Sequence, residues 1–87
     1  MTTTIFLREL TSPQVKSAAE RGSVLLIPFG QTEEHGSHLA IGADSIIAET
    51  VAEEAARRSL GRVPVLIAPP IRYGYSNEVM RKWPGTF

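Results

Sequence analysis

The 87-residue chain has no cysteine, so it offers neither a disulfide framework nor a thiolate site, and any metal must be held by nitrogen and oxygen. It also has no net charge, with 9 basic and 9 acidic residues. No basic patch is there to neutralise phosphates, which argues against a nucleic-acid partner. No apolar run is long enough to cross a membrane. The start, Met1-Thr2-Thr3-Thr4, lacks the basic and apolar regions of a secretion signal, so a cytoplasmic location with no membrane partner is expected. At this length the chain forms one domain at most, and burial is marginal.

What is present is concentrated between Gly30 and Asp44. Glu33, Glu34, His35 and His38 fall there together, closed by Asp44, and these are both of the chain's histidines. Three carboxylates and two imidazoles in a short loop make up the ligand chemistry of a hydrolytic metal site. Glu33 and His35 are two residues apart, so in an extended loop their side chains project to the same side. Taken singly, each signal has a blander explanation. An aspartate ahead of an apolar-periodic helix is usually only an N-cap, and a lone Glu-x-His is usually a solvated pair.

Around the loop the pattern is that of an α/β protein. Ser12-Pro13 opens a short helix, with serine as cap and proline at the first helical position, and Gly22 ends it. Val24 to Phe29 is a continuous apolar run, the mark of a strand covered on both faces. Asp44 is expected to cap a helix from Ser45 to Leu60, whose Ile46, Ile47, Ala48, Val51, Ala52, Ala55 and Ala56 recur at helical spacing; Gly61 terminates it. Val63 to Ala68 is a second apolar strand, with Pro64 best placed at its start. Strand, helix, strand predicts a parallel βαβ unit, in which ligands bind beyond the carboxyl ends of the strands. The two loops that follow the strands, Gly30 to Asp44 and Pro69 to Trp83, should therefore converge on one rim. Two buried strands need cover that these helices cannot supply, so the chain should expose apolar surface or take more sheet from elsewhere.

Gly30, Glu33, His35, Gly36, His38, Leu39 and Asp44 resemble the signature of the creatininase (creatinine amidohydrolase) family, without gaps. Pro69-Pro70, Tyr73-Gly74-Tyr75-Ser76-Asn77-Glu78 and Pro84-Gly85-Thr86 resemble a second family motif in the right order. The resemblance implies a layered α/β/α fold, of which residues 1–87 form the amino-terminal part of a single, incomplete domain. It further implies Glu33 as ligand of one metal, His35 as ligand of a second and Asp44 as the bridge, with two divalent ions that are zinc, manganese or iron. His38 and Glu78 are the candidate catalytic residues in this chain: His38 through substrate contact or a hydrogen bond to a ligand, Glu78 in the loop that shapes the pocket.

The implied activity is metal-dependent hydrolysis of a carbon–nitrogen bond in a cyclic amide, formamide or related small molecule. The remaining ligands and the general acid/base are expected from a missing carboxyl-terminal part or a partner chain, in an oligomer. The rival expectation is a non-catalytic structural or assembly subunit that keeps the motif by descent. Val79, where the family commonly has histidine, favours the rival, and retention of all three ligand types opposes it. Ser76 is not expected to be a nucleophile, because no G-x-S-x-G elbow surrounds it.

Overall fold

A capping box starts the first helix. In the computed structural model, which describes residues 4–74 and 82–86, helix α1 runs Ser12–Glu20 after a 3-10 turn at Leu7–Glu9. Its cap is Thr11 rather than the expected Ser12. Thr11 N–H donates to Gln14 Oε1 at 2.8 Å while the threonine hydroxyl faces the N3 amide, a reciprocal pairing that serine one position later could not make. Its end is a Schellman motif. Gly22 at φ +71° donates to Ala19 O, and Ser23 donates to Ala18 O.

Strands β1 (Val24–Leu26) and β2 (Val65–Ile67) pair in parallel, Val24 with Val65 and Leu26 with Ile67, and helix α2 (Ala43–Arg58) joins them. This is the βαβ unit expected. Both strands are shorter than their apolar runs. Beyond β1 only an isolated bridge, Phe29 to Ile71, continues the pairing, because Pro28 intervenes without an N–H while its carbonyl accepts from Ile71. Pro64 sits just before β2 and gives its carbonyl to Val24 N–H. On the other edge of β2, Ile67 N–H donates to Ile5 O at 2.7 Å, so the amino-terminal segment lies alongside as a third extended piece.

The core is small and one-sided. Ile5, Ala52, Ala56 and Ile67 are buried together, with Phe6, Leu26 and Val65 packed against them, so α2 meets the sheet through alanines. The strands are thus not covered on both faces as their apolar runs suggested, and the exposed apolar surface expected from too few helices is there: Leu25, Ile27 and Phe29 remain exposed, and on α2 Ile46, Ile47 and Val51 are 56%, 62% and 63% exposed. An alanine face lets helix and sheet approach closely, which leaves the isoleucines and valine on the flank.

The accessible surface is 6267 Å², against roughly 5,000 Å² for a compact protein of this mass. The radius of gyration, 15.9 Å, likewise exceeds the roughly 12 Å of a compact domain of this length. The hydrogen bonds send the N–H groups of Val24 and Gly30 and the carbonyls of Leu26 and Pro28 toward β2 and its continuation, leaving the other edge of β1 without a partner strand among the described residues. Open edges and apolar patches promote association. The chain by itself is therefore expected to self-associate and to show weak amide protection in β1, with Phe29→Lys and Val51→Lys reducing the association. A well-protected, monodisperse monomer in a sizing and hydrogen-exchange experiment would contradict this. No helix among the described residues is long and apolar enough to cross a membrane.

Candidate metal centre

The loops after β1 and β2 do meet on one rim, stitched by hydrogen bonds across large sequence separations. Gly30 N–H donates to Ile71 O at 2.8 Å, Thr32 Oγ1 to Arg72 O at 2.6 Å and Gln31 Nε2 to Gly74 O at 3.3 Å. Gly30 passes so close to the start of α2 that a Cβ there would lie 2.4 Å from Ser45 N. That approach brings the Glu33–His35 segment beside the first turn of α2, where Asp44 sits.

Glu33, His35 and Asp44 each place one potential ligand atom within 4.8 Å of the others, and all three residues are partly buried. Asp44 does not cap the helix. Gly42 holds the cap position without a side-chain bond, and the Asp44 carboxylate instead meets the imidazole, Oδ1 to His35 Nε2 at 2.9 Å. The helix begins at Ala43, so Asp44 already lies inside the first turn, and its carboxylate is free to make a charge-assisted bond to the imidazole. On its other side, His35 Nδ1 lies 2.9 Å from Glu34 O. Both ring nitrogens thus face acceptors, an arrangement that suits the doubly protonated ring. Glu33's carboxylate has no hydrogen-bond partner among the described residues.

The bond to Asp44 raises the His35 pKa above its ordinary 6.5, partial burial opposes it, and the Glu34 carbonyl and the charges of Asp44 and Glu33 add to the rise. In the metal-free protein the pair supports the fold below the unfolded-state value, and that support is lost as pH rises through the raised folded-state value. For a cation at Nε2 the sign reverses. The proton must leave first, so affinity is expected to fall as pH drops through the raised value. An NMR titration of the His35 ring should show a midpoint above 6.5 that returns toward normal in Asp44→Asn. An unchanged midpoint in that variant would mean the pair does not form.

The remaining candidates lie elsewhere. His38 is exposed and outside the three-residue group, its ring folded over Gly36, where an added Cβ would come within 3.2 Å. Glu78, with Tyr75, Ser76, Asn77 and Val79, falls outside the described residues. Glu34 turns its carboxylate back to Gly36 N–H and so closes its own loop. Tyr73 is exposed on the same rim. Two hydroxyls not expected to matter hold the loop: Thr32, buried, and Thr86, whose Oγ1 accepts from Glu34 N–H at 2.8 Å. Thr86 belongs to the quoted Pro-Gly-Thr turn, which was the available signal.

The profile of the family described as Creatininase, creatinine amidohydrolase, matches residues 8–87. Among curated proteins, a mycofactocin precursor peptide peptidase of Mycobacterium ulcerans is 46% identical over 59 residues, 62% of this chain and 24% of that protein. A creatinine amidohydrolase of Pseudomonas putida is 29% identical over 90% of this chain and 29% of its own length. A 3-dehydro-scyllo-inosose hydrolase of Thermotoga maritima is 29% identical over 97% and 26%. The chain thus spans between about a quarter and a third of these relatives. Among solved structures, a mutant creatininase of Zn-Zn type superposes at TM-score 0.83 with 28% identity, covering 99% of this chain and 34% of that one. A manganese creatininase gives TM-score 0.83 at 29% identity, covering 98% and 34%.

Proposed function

The chain belongs to the creatininase family, and from that premise we propose that it forms the amino-terminal part of a metal-dependent hydrolase acting on a carbon–nitrogen amide bond. The observation that carries the proposal is the meeting of Glu33, His35 and Asp44 on the rim beyond the strands, where the sheet topology puts a ligand site. Two carboxylates and one imidazole are an all nitrogen–oxygen donor set suited to zinc or manganese, the metals of the two superposed creatininases. Iron fits the same donors. When bound, paired divalent ions polarise a carbonyl and acidify a water.

This chain's own residues supply charge, orientation and proton handling. Glu33 and Asp44 carry the negative charge that attracts cations, and Asp44, beside His35 in the first turn of α2, would serve both ions. Glu34 O fixes the ring of His35 by accepting from Nδ1, which turns Nε2 to the site. His38, on the exposed side of the loop, is assigned to substrate rather than to ligation, and Glu78 to the pocket wall.

The substrate proposed is a small-molecule amide. The relatives' names span a peptide, creatinine and an inosose, and the higher identity to the peptidase favours a peptide amide as the second reading. Further polypeptide, either more of the same chain or a partner in an oligomer, is proposed to supply the remaining ligands and to cover the open edge of β1 and the apolar flank of α2. The same exposed surface suits an assembly subunit without catalysis. The distinguishing experiment removes metal from the intact protein with a chelator and restores zinc or manganese, with a peptide amide and creatinine as test substrates. Hydrolysis lost and regained with metal supports the proposal. Hydrolysis untouched by chelation, or metal uptake without turnover of any amide, would refute it, the latter in favour of the assembly role. A cytoplasmic location is part of the same proposal.

A further inference from the structure

We propose that Thr32 and Thr86 are positioning residues of the candidate centre, two hydroxyls that fasten the Glu33–His35 segment from either side; the inference rests on the metal-site reading above. Glu33 and His35 lie on a stretch without helix or strand. Ligands must be held to within about 0.5 Å of a productive geometry, so a loop that carries them needs bonds from outside itself. Thr32 donates to the Arg72 carbonyl across 40 residues, and Thr86 accepts from Glu34 N–H across 52. Glu33 is thus bracketed by two anchored neighbours, and His35 follows the second.

Both anchors lead back to the other side of the site. Arg72 also pairs through its guanidinium with Glu49 of α2 at 3.6 Å, so the strap held by Thr32 is tied to the helix that presents Asp44. Thr86 ends a turn in which its own N–H reaches Trp83 O, and the preceding Gly85, at φ +90°, packs so tightly on Ile41 that a Cβ would lie 2.4 Å from its Cγ2. Ile41 in turn accepts the Glu33 N–H at 3.1 Å. The ring of contacts from Glu33 through Ile41, Gly85 and Thr86 to Glu34 is therefore closed. Its one side-chain hydrogen bond is the Thr86 hydroxyl. On the opposite side the corresponding bond is that of Thr32.

The test compares Thr32→Val and Thr86→Val, which keep the shape and remove the hydroxyl, with the Ser variants, which keep the hydroxyl, in the intact protein. Zn²⁺ affinity and the urea midpoint are measured together with amide exchange at Glu33 and Glu34. Each Val variant is expected to weaken Zn²⁺ binding by about 10–100-fold, the range seen when a supporting hydrogen bond behind a ligand is lost. The Ser variants should restore affinity even where the midpoint does not recover, which a merely structural role would not produce. Val variants that bind Zn²⁺ as tightly as the parent would overturn the clasp and leave the metal site standing. If the parent takes up no Zn²⁺, the metal-site reading fails. The clasp is then judged on exchange alone: faster exchange at Glu34 in Thr86→Val and at Glu33 in Thr32→Val upholds it, and unchanged protection overturns it.

Discussion

Asp44→Asn is expected to lower Zn²⁺ or Mn²⁺ affinity by at least about 100-fold while the unfolding midpoint moves little. The size of the loss follows from the site: asparagine removes one of two carboxylates from a three-donor cluster, and even supporting groups behind ligands are worth about 10–100-fold. The small effect on folding follows from the helix start. Gly42, not Asp44, is the cap, so no capping bond is lost. The asparagine oxygen can still accept from His35 Nε2, so that bond is weakened rather than removed. The charge in the first turn of α2 contributes about 0.3–1 kcal/mol. Calorimetric titration alongside a urea melt checks both halves. Retained affinity would reduce Asp44 to a partner of His35 and remove the bridge from the proposal.

Gly30→Ala should damage fold and site together, lowering stability by about 2–3 kcal/mol and abolishing cation binding. The added Cβ would meet Ser45 N at 2.4 Å, with Asp44 C and Ser45 Cα at 2.6 Å. All three are backbone atoms of a helix, with no flexible side chain to swing aside, so the cost belongs with overpacked cores. Either α2 moves off with Asp44, or the loop moves off with Glu33 and His35. Gly61→Ala is the matching control. It places a side chain at φ +83° with nothing within 4 Å, so it should cost about 1–2 kcal/mol of backbone strain and leave cation affinity unchanged. Equal effects of the two substitutions on binding would show that the Gly30 contact has no special bearing on the centre.

The parts legible in the sequence are those governed by local pattern. The apolar runs and the helical spacing between them are enough to specify a parallel βαβ unit, and topology then sends both loops to one rim. Loss of legibility begins where a residue has two possible partners. Asp44 has the sequence context of an N-cap, but the helix begins at Ala43 and the carboxylate meets an imidazole nine residues away. The helix spacing likewise marks Ile46, Ile47 and Val51 as apolar without saying whether α2 turns them or its alanines toward the sheet. Thr32 carries no mark at all, and for Thr86 the Pro-Gly-Thr turn marks the residue but not its partner. Their bonds span 40 and 52 residues, and no periodicity reports a contact of that kind.

The central claim, that Glu33, His35 and Asp44 hold a divalent cation, is tested most directly by titrating the nitrogen-15-labelled intact protein with Zn²⁺ and following the imidazole nitrogens. His35 Nδ1 faces the Glu34 carbonyl and Nε2 faces Asp44, so the prediction names the atom. His35 Nε2 should move to a metal-bound position and saturate with the metal, Nδ1 should keep its proton, and Asp44→Asn should suppress the response. A protein that takes up Zn²⁺ with the His35 ring unmoved, or that takes up none, would contradict the claim.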